Sequence, residues 1–176
     1  NSINENLSLQ SEYDGEKRID FSNSKPKDKD DLDQFKDLQN LFCSEFFPLP
    51  ETSFRKVELN FNNFVKKGEK PLINQGSMFV IPLNDIVSNG IISGKSWEYT
   101  ETLQMLAIMS RAASNGVNTP YFLDIGSNVG WFSTVMAALG YNVIAFDAMK
   151  SNALLFRSTL CENPKMMEKV TFINKG

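Results

Sequence analysis

Tyr121-Phe122-Leu123-Asp124-Ile125-Gly126-Ser127-Asn128-Val129-Gly130-Trp131-Phe132 is the stretch whose reading decides the fold. An apolar run ends in an acid, a glycine turn follows, and Val129–Leu139 then reads as a helix closed by Gly140. Tyr141-Asn142-Val143-Ile144-Ala145-Phe146-Asp147 repeats the pattern, a second apolar strand ending in an acid. Lys150–Glu162 reads as a second helix and Lys169–Asn174 as a third strand. Strands alternating with helices across short loops predict an α/β fold, the first half of a Rossmann-like, doubly wound parallel sheet. Ligands on such sheets sit outside the carboxyl ends of the strands, where both acids fall.

The ligand is read from what the turn lacks. A dinucleotide fingerprint is G-x-G-x-x-G, whose middle glycine lets backbone N–H groups approach a pyrophosphate. Here the pattern is Asp124, Gly126, Gly130, with no glycine between the last two. Asp124 at the strand end repels a phosphate and favours an ammonium or sulfonium. S-adenosylmethionine carries both cations and no phosphate, and its ribose diol still calls for a carboxylate. Asp147 lies 21 residues after Gly126, close to the ~20 residues that separate such a turn from a ribose-binding acid. A glycine turn of this kind also serves plain packing, with Gly130 permitting close helix–sheet contact. The second acid and the β-α-β frame favour the cofactor.

With those residues in view, FLDIGSNVGWFSTVMAALGYNVIAFDAMKSN, residues 122–152, resembles the opening of FkbM-type S-adenosylmethionine-dependent methyltransferases. That family reads D-[IV]-G-[AS]-N-x-G followed by V-x-A-F-E-P. The resemblance covers roughly 95–176, the N-terminal half of the domain, and includes Trp97-Glu98. This sequence departs from it at Asp147-Ala148-Met149, where the family has Glu-Pro. The resemblance implies a class I methyltransferase sheet, here truncated after the third strand. It also implies methyl transfer to a hydroxyl of a small molecule or glycan.

Site residues follow as expectations. Asp124 is expected to hold the methionyl ammonium, against the plainer role of a helix-dipole partner. Gly126 lets the loop approach the cofactor. Ser127 or Asn128 caps the following helix and offers N–H groups to the methionyl carboxylate. Asp147 accepts from both ribose hydroxyls. Ala148 or Met149 packs on adenine, although a core methionine is the commoner use. Glu98 reaches the cofactor from the preceding helix, against ordinary first-turn capping. An alcohol acceptor needs a general base, and none is identified in the sequence.

Composition bounds the remainder. The chain has 176 residues, Lys+Arg 18 against Asp+Glu 21, a net charge of −3, and 41% apolar residues with 14 Phe. That is enough for a core, and it offers no basic block for nucleic acid. No apolar run approaches the ~20 residues of a membrane span. There is no histidine, which excludes His-dependent triads and His-ligated metal within these residues. Two cysteines, Cys43 and Cys161, do not make a disulfide scaffold.

Residues 1–30 read as a disordered acidic tail, with ten acids and six bases among residues 1–40. Asn6-Leu7-Ser8 fits a glycosylation acceptor, a triplet common by chance in Asn-rich sequence. Residues 31–116 read as a helical and β-rich lead-in, and 117–176 as the half-domain. The lead-in holds a helix over about 31–46, strands within 54–64, 78–82 and 85–92, and a helix over about 97–114. Ser96 is read as the cap of that last helix and Asn115-Gly116 as its close.

The chain opens on Asn1 and is read as a piece of a longer polypeptide. Its tail is read as a stem after a lost membrane anchor, or as a simple lead, so the compartment is not legible. The first parallel strand is expected to present a free edge open to pairing with another chain. Two other functions stay open: half of a nucleotide- or NAD-binding oxidoreductase, and a non-catalytic interaction module. Residues 1–176 alone are expected to show no methyl turnover in a radiolabelled-methyl assay, and turnover there would overturn the truncated-domain reading.

Overall fold

The computed structural model describes residues 19–20, 43, 54–66, 69–81, 84–116 and 120–175. Its centre is a mixed α/β unit. Strands β1 (Ile19–Asp20), β2 (Arg55–Asn60) and β3 (Gln75–Val80) precede helices α1 (Ile86–Gly94) and α2 (Tyr99–Ser114). Then come β4 (Tyr121–Ile125), α3 (Trp131–Ala138), β5 (Asn142–Asp147), α4 (Lys150–Glu162), α5 (Pro164–Met167) and β6 (Val170–Asn174). The main sheet has the order β1-β6-β5-β4. β4, β5 and β6 are parallel, with Asp124 opposite Ala145 and Asp147 opposite Asn174. The β-α-β-α-β half predicted from the sequence is therefore present, and both acids stand at the carboxyl rim.

β1 closes the other side of β6 in antiparallel pairing, Ile19 opposite Phe172. These two residues lie within the stretch read as solvated tail, and the rest of that stretch lies outside the described residues. The helix expected over 31–46 also lies outside them, except that Cys43 is helical.

The lead-in differs from its reading in two elements. Phe61–Phe64, at the end of the strand expected within 54–64, is a short 3-10 helix, and residues 85–92 form not a strand but α1. The β-branched residues Ile86, Val87, Ile91 and Ile92 pointed to a strand, but Asp85 overrides them. Its carboxylate accepts from Ser88 N–H at 2.6 Å, an N-cap bond that starts the helix. Gly90 sits inside the helix because Trp97 packs on it, its ring 2.7 Å from where a Cβ would stand.

β2 and β3 form a separate antiparallel hairpin, Arg55 opposite Val80. It is bound to α4 through side chains that replace a missing neighbouring strand. The Asn163 amide accepts from Ser77 N–H at 3.1 Å and donates to Ser77 C=O at 2.7 Å, while Thr159 accepts from Phe79 N–H at 3.0 Å. Val57, Leu59, Met78 and Val80 consequently share one buried cluster with Trp131, Val135, Met136 and Phe156. The hairpin and the β4–β6 unit therefore share one core.

α2 matches the helix predicted over 97–114 with two changes. Thr102, Leu106 and Met109 are buried, whereas Leu103 is 38% exposed. Ser96 does not cap it: the N-cap is Glu98, in the left-handed region, with no side-chain cap bond. Gly116, at φ +83°, closes the far end as expected.

β4 lies at the end of the strand order, as expected for the first parallel strand. Tyr121, Leu123 and Ile125 project from one of its faces and are 49%, 56% and 78% exposed. Among the described residues no helix is long and apolar enough to cross a membrane.

Gly130 shows how tightly α3 and α4 pack. Its φ is +86°, and an added Cβ would stand 2.1 Å from the Phe156 ring. Gly130→Ala is therefore expected to destabilise the fold by about 2–4 kcal/mol, combining overpacking with left-handed strain. Urea unfolding measures this, and a loss below about 1 kcal/mol would show that the ring moves aside.

Candidate functional site

The site is built by laying the β4–α3 loop across the tip of β5. Gly126 and Ser127 N–H both donate to Phe146 C=O, at 2.9 and 2.8 Å. Gly130 N–H donates back to Ser127 C=O at 2.8 Å. Gly126, Asn128 and Gly130 all take positive φ, at +78°, +54° and +86°. Glycine does this freely, and asparagine tolerates it better than most residues. The spacing Gly126, Asn128, Gly130 is thus a backbone requirement.

Asp147 clamps the loop. Its Oδ2 accepts from Asn128 N–H at 2.7 Å, and its Oδ1 from Met149 N–H at 2.9 Å and Asn152 Nδ2 at 3.3 Å. The residue is 7% exposed. A carboxylate offers about four acceptor positions, so three are already occupied. Against the two ribose hydroxyls expected of Asp147, about one acceptor position remains beside these three bonds.

Asp124 stands on the adjacent strand and is 8% exposed. Ser133 Oγ, in the first turn of α3, donates to its Oδ2 at 2.6 Å. Burial pushes the Asp124 carboxyl above the usual range, the Ser133 bond opposes this, and the charge of Asp147 adds to the rise. Two buried acids at one rim form a setting in which a nearby cation is stabilised.

Two expected roles in the loop change. Neither Ser127 nor Asn128 caps α3: the N-cap is Gly130, with no side-chain cap bond. The Asn128 and Ser127 amides are already engaged at the tip of β5, Asn128 N–H with the Asp147 carboxylate and Ser127 N–H with Phe146 C=O. What Ser127 offers is its hydroxyl, a buried Oγ with no hydrogen-bond partner among the described residues. Gly126 has nothing within 4 Å of where a Cβ would stand, so open space adjoins it.

Ala148 and Met149 follow Asp147 at the surface. Met149 is 59% exposed, so the core role weighed for it does not hold. Glu98 is exposed at φ +41°, a strained position for a residue with a side chain. Trp131 Nε1, at the start of α3, donates to Thr102 Oγ1 at 3.1 Å in the first turn of α2, and Glu98 makes no hydrogen bond or ion pair with the loop among the described residues.

Sequence reasoning missed Ser133 and Asn152. Ser133 follows Gly130 by three residues, one turn into α3, and Asn152 follows Asp147 by five. A polar residue in the first turn of each helix was the available signal. A cavity of about 610 Å³ lies elsewhere, between α2, residues 63–70 and Leu139–Tyr141, toward the amino end of β5. Among the described residues no cluster of His, Cys, Asp and Glu is suited to a metal ion.

The chain matches no family model and no curated protein. Among solved structures it is similar to a Haemonchus contortus protein described as "Phospholethanolamine N-methyltransferase 2 in complex with phosphomonomethylethanolamine and S-adenosylhomocysteine". The identity is 15% and the TM-score 0.31, over 90% of this chain and 40% of that one. This chain thus spans less than half the length of that neighbour.

The raised Asp124 carboxyl has a signed consequence. A group whose pKa is higher in the folded state stabilises the fold fully below its unfolded pKa and loses that contribution as pH rises through the folded value. Asp124→Asn, which keeps the shape and removes the charge, should gain on wild type as pH rises from 3 to 8. Urea midpoints across that range test this, and parallel pH profiles would refute it.

Proposed function

We propose that this chain carries the cofactor side of an S-adenosylmethionine-dependent methyltransferase of FkbM type that methylates a hydroxyl acceptor. The carrying observation is the pair Asp124 and Asp147 at the tips of adjacent parallel strands, on either side of a loop with three positive-φ residues. The open space at Gly126 and the unpartnered Ser127 hydroxyl fit a small polar ligand held against that loop. The absence of a dinucleotide fingerprint and the two buried acids at one rim favour a cationic cofactor over one bearing a pyrophosphate.

Each residue then has a role. Asp124 lowers the electrostatic cost of the cofactor's positive groups, and its own ionised form is favoured in return. The Ser127 hydroxyl donates to the methionyl carboxylate. Asp147 uses its remaining acceptor position for one ribose hydroxyl while its other bonds keep the loop in shape. Met149 covers an adenine edge as an exposed, polarisable lip. Glu98 supplies a third carboxylate, held in place by its strained backbone.

S-adenosylmethionine supplies an activated methyl group with its own leaving group. The protein's contribution is to orient the cofactor and exclude water.

Calorimetry with S-adenosylhomocysteine and with NAD separates this reading from the oxidoreductase one. S-adenosylhomocysteine is expected to bind and NAD not to. Asp147→Ala should weaken S-adenosylhomocysteine by at least ~1–3 kcal/mol, the cost of leaving buried groups unpaired. Binding of NAD, or of neither compound, would overturn the assignment.

A further inference from the structure

The two cysteines of the chain are 118 residues apart, yet the fold joins them as a disulfide with Cα atoms 5.7 Å apart. Both are partly buried and pack against the core. Cys161 lies in the last turn of α4, where other ties converge. Lys56 of β2 pairs with Glu162, and Asn163 and Thr159 hold the backbone of β3. Asp147 and Asn152 lie at the opposite end of α4, and Asn152 is about 13 Å from Cys161 along the helix axis. The bond therefore joins the chain around residue 43 to the hairpin-holding end of α4, away from the glycine loop.

We infer that Cys43–Cys161 is a structural cross-link and that this chain folds in an oxidising compartment, where such bonds persist. The bond forms as two thiols lose two protons and two electrons to a low-molecular-weight disulfide such as oxidised glutathione. The Sγ–Sγ bond is made, the glutathione disulfide is cleaved, and two molecules of reduced glutathione leave. A cross-link over so long a span removes much of the freedom of the unfolded chain. Its partly buried sulfurs slow exchange with soluble thiols. A bond at the end of α4 remote from the loop acts on stability.

The test equilibrates residues 1–176 in mixed oxidised and reduced glutathione at the ratio of a secretory lumen, followed by alkylation and peptide mass mapping. Both cysteines are expected to resist alkylation and to appear as one cross-linked peptide pair, becoming reactive after full reduction. Thermal unfolding of the oxidised protein should lie about 5–15 °C above that of the reduced protein. C43S/C161S should unfold at the lower temperature under both conditions. Free thiols in the oxidising buffer, glutathione adducts on either cysteine, cross-links between chains, or equal unfolding temperatures would each overturn the inference. Mapping on the wild-type chain keeps the test decisive even if the double variant does not fold.

Discussion

The arrangement of the site depends on one buried carboxylate. Asp147 gathers N–H groups from the β4–α3 loop, from the turn that follows it, and from the first turn of α4. A buried charge without such partners would be costly, and with three of them it becomes a fixed point. The loop, the strand tip and the second helix are registered against one another by that residue. Asp124 is held differently, by one hydroxyl, and its burial pushes its carboxyl above the usual range.

α4 carries this order to the rest of the molecule. Its first turn supplies Asn152 to Asp147, its middle presents Phe156 to Gly130, and its last turns hold β3 through Thr159 and, just beyond the helix, Asn163. The helix thus links the glycine loop at one end to the lead-in hairpin at the other. Polar side chains do the joining to β3 because a strand flanked by a helix has no backbone partner there, and buried amides must find one. Inside this frame the Trp131–Thr102 bond fixes α2 against the start of α3, and Phe64 packs edge-on against the same Trp131, centroids 5.9 Å apart.

The parallel half was legible because its strands are apolar throughout, end in acids, and are separated by a glycine turn that few other structures require. Residues 85–92 were misread because four β-branched side chains carry the same local signal in a helix as in a strand. The deciding features were a cap bond from Asp85 and a tryptophan arriving seven residues after Gly90. Ser96 failed as a cap for the converse reason: the chain enters α2 through a left-handed Glu98, a conformation that no propensity favours. Within the site, the positions of Asp124, Gly126, Gly130 and Asp147 were readable as spacing. The use of the Asn128 amide was not, because it depends on which way the Asp147 carboxylate turns.

The sequence by itself determined the succession of strands and helices from Tyr121 to Asn174, apart from the short α5, and the placement of two acids at one rim, since strand and helix periods and glycine turns are local properties. Tertiary structure alone decided how the acids are used. Burial, and the three N–H groups that converge on Asp147, set their acceptor capacity and charge. Tertiary structure likewise brought Cys43 to Cys161 and joined the hairpin to α4. Such contacts link residues many tens of positions apart, and no local pattern in a chain records which distant segments will meet.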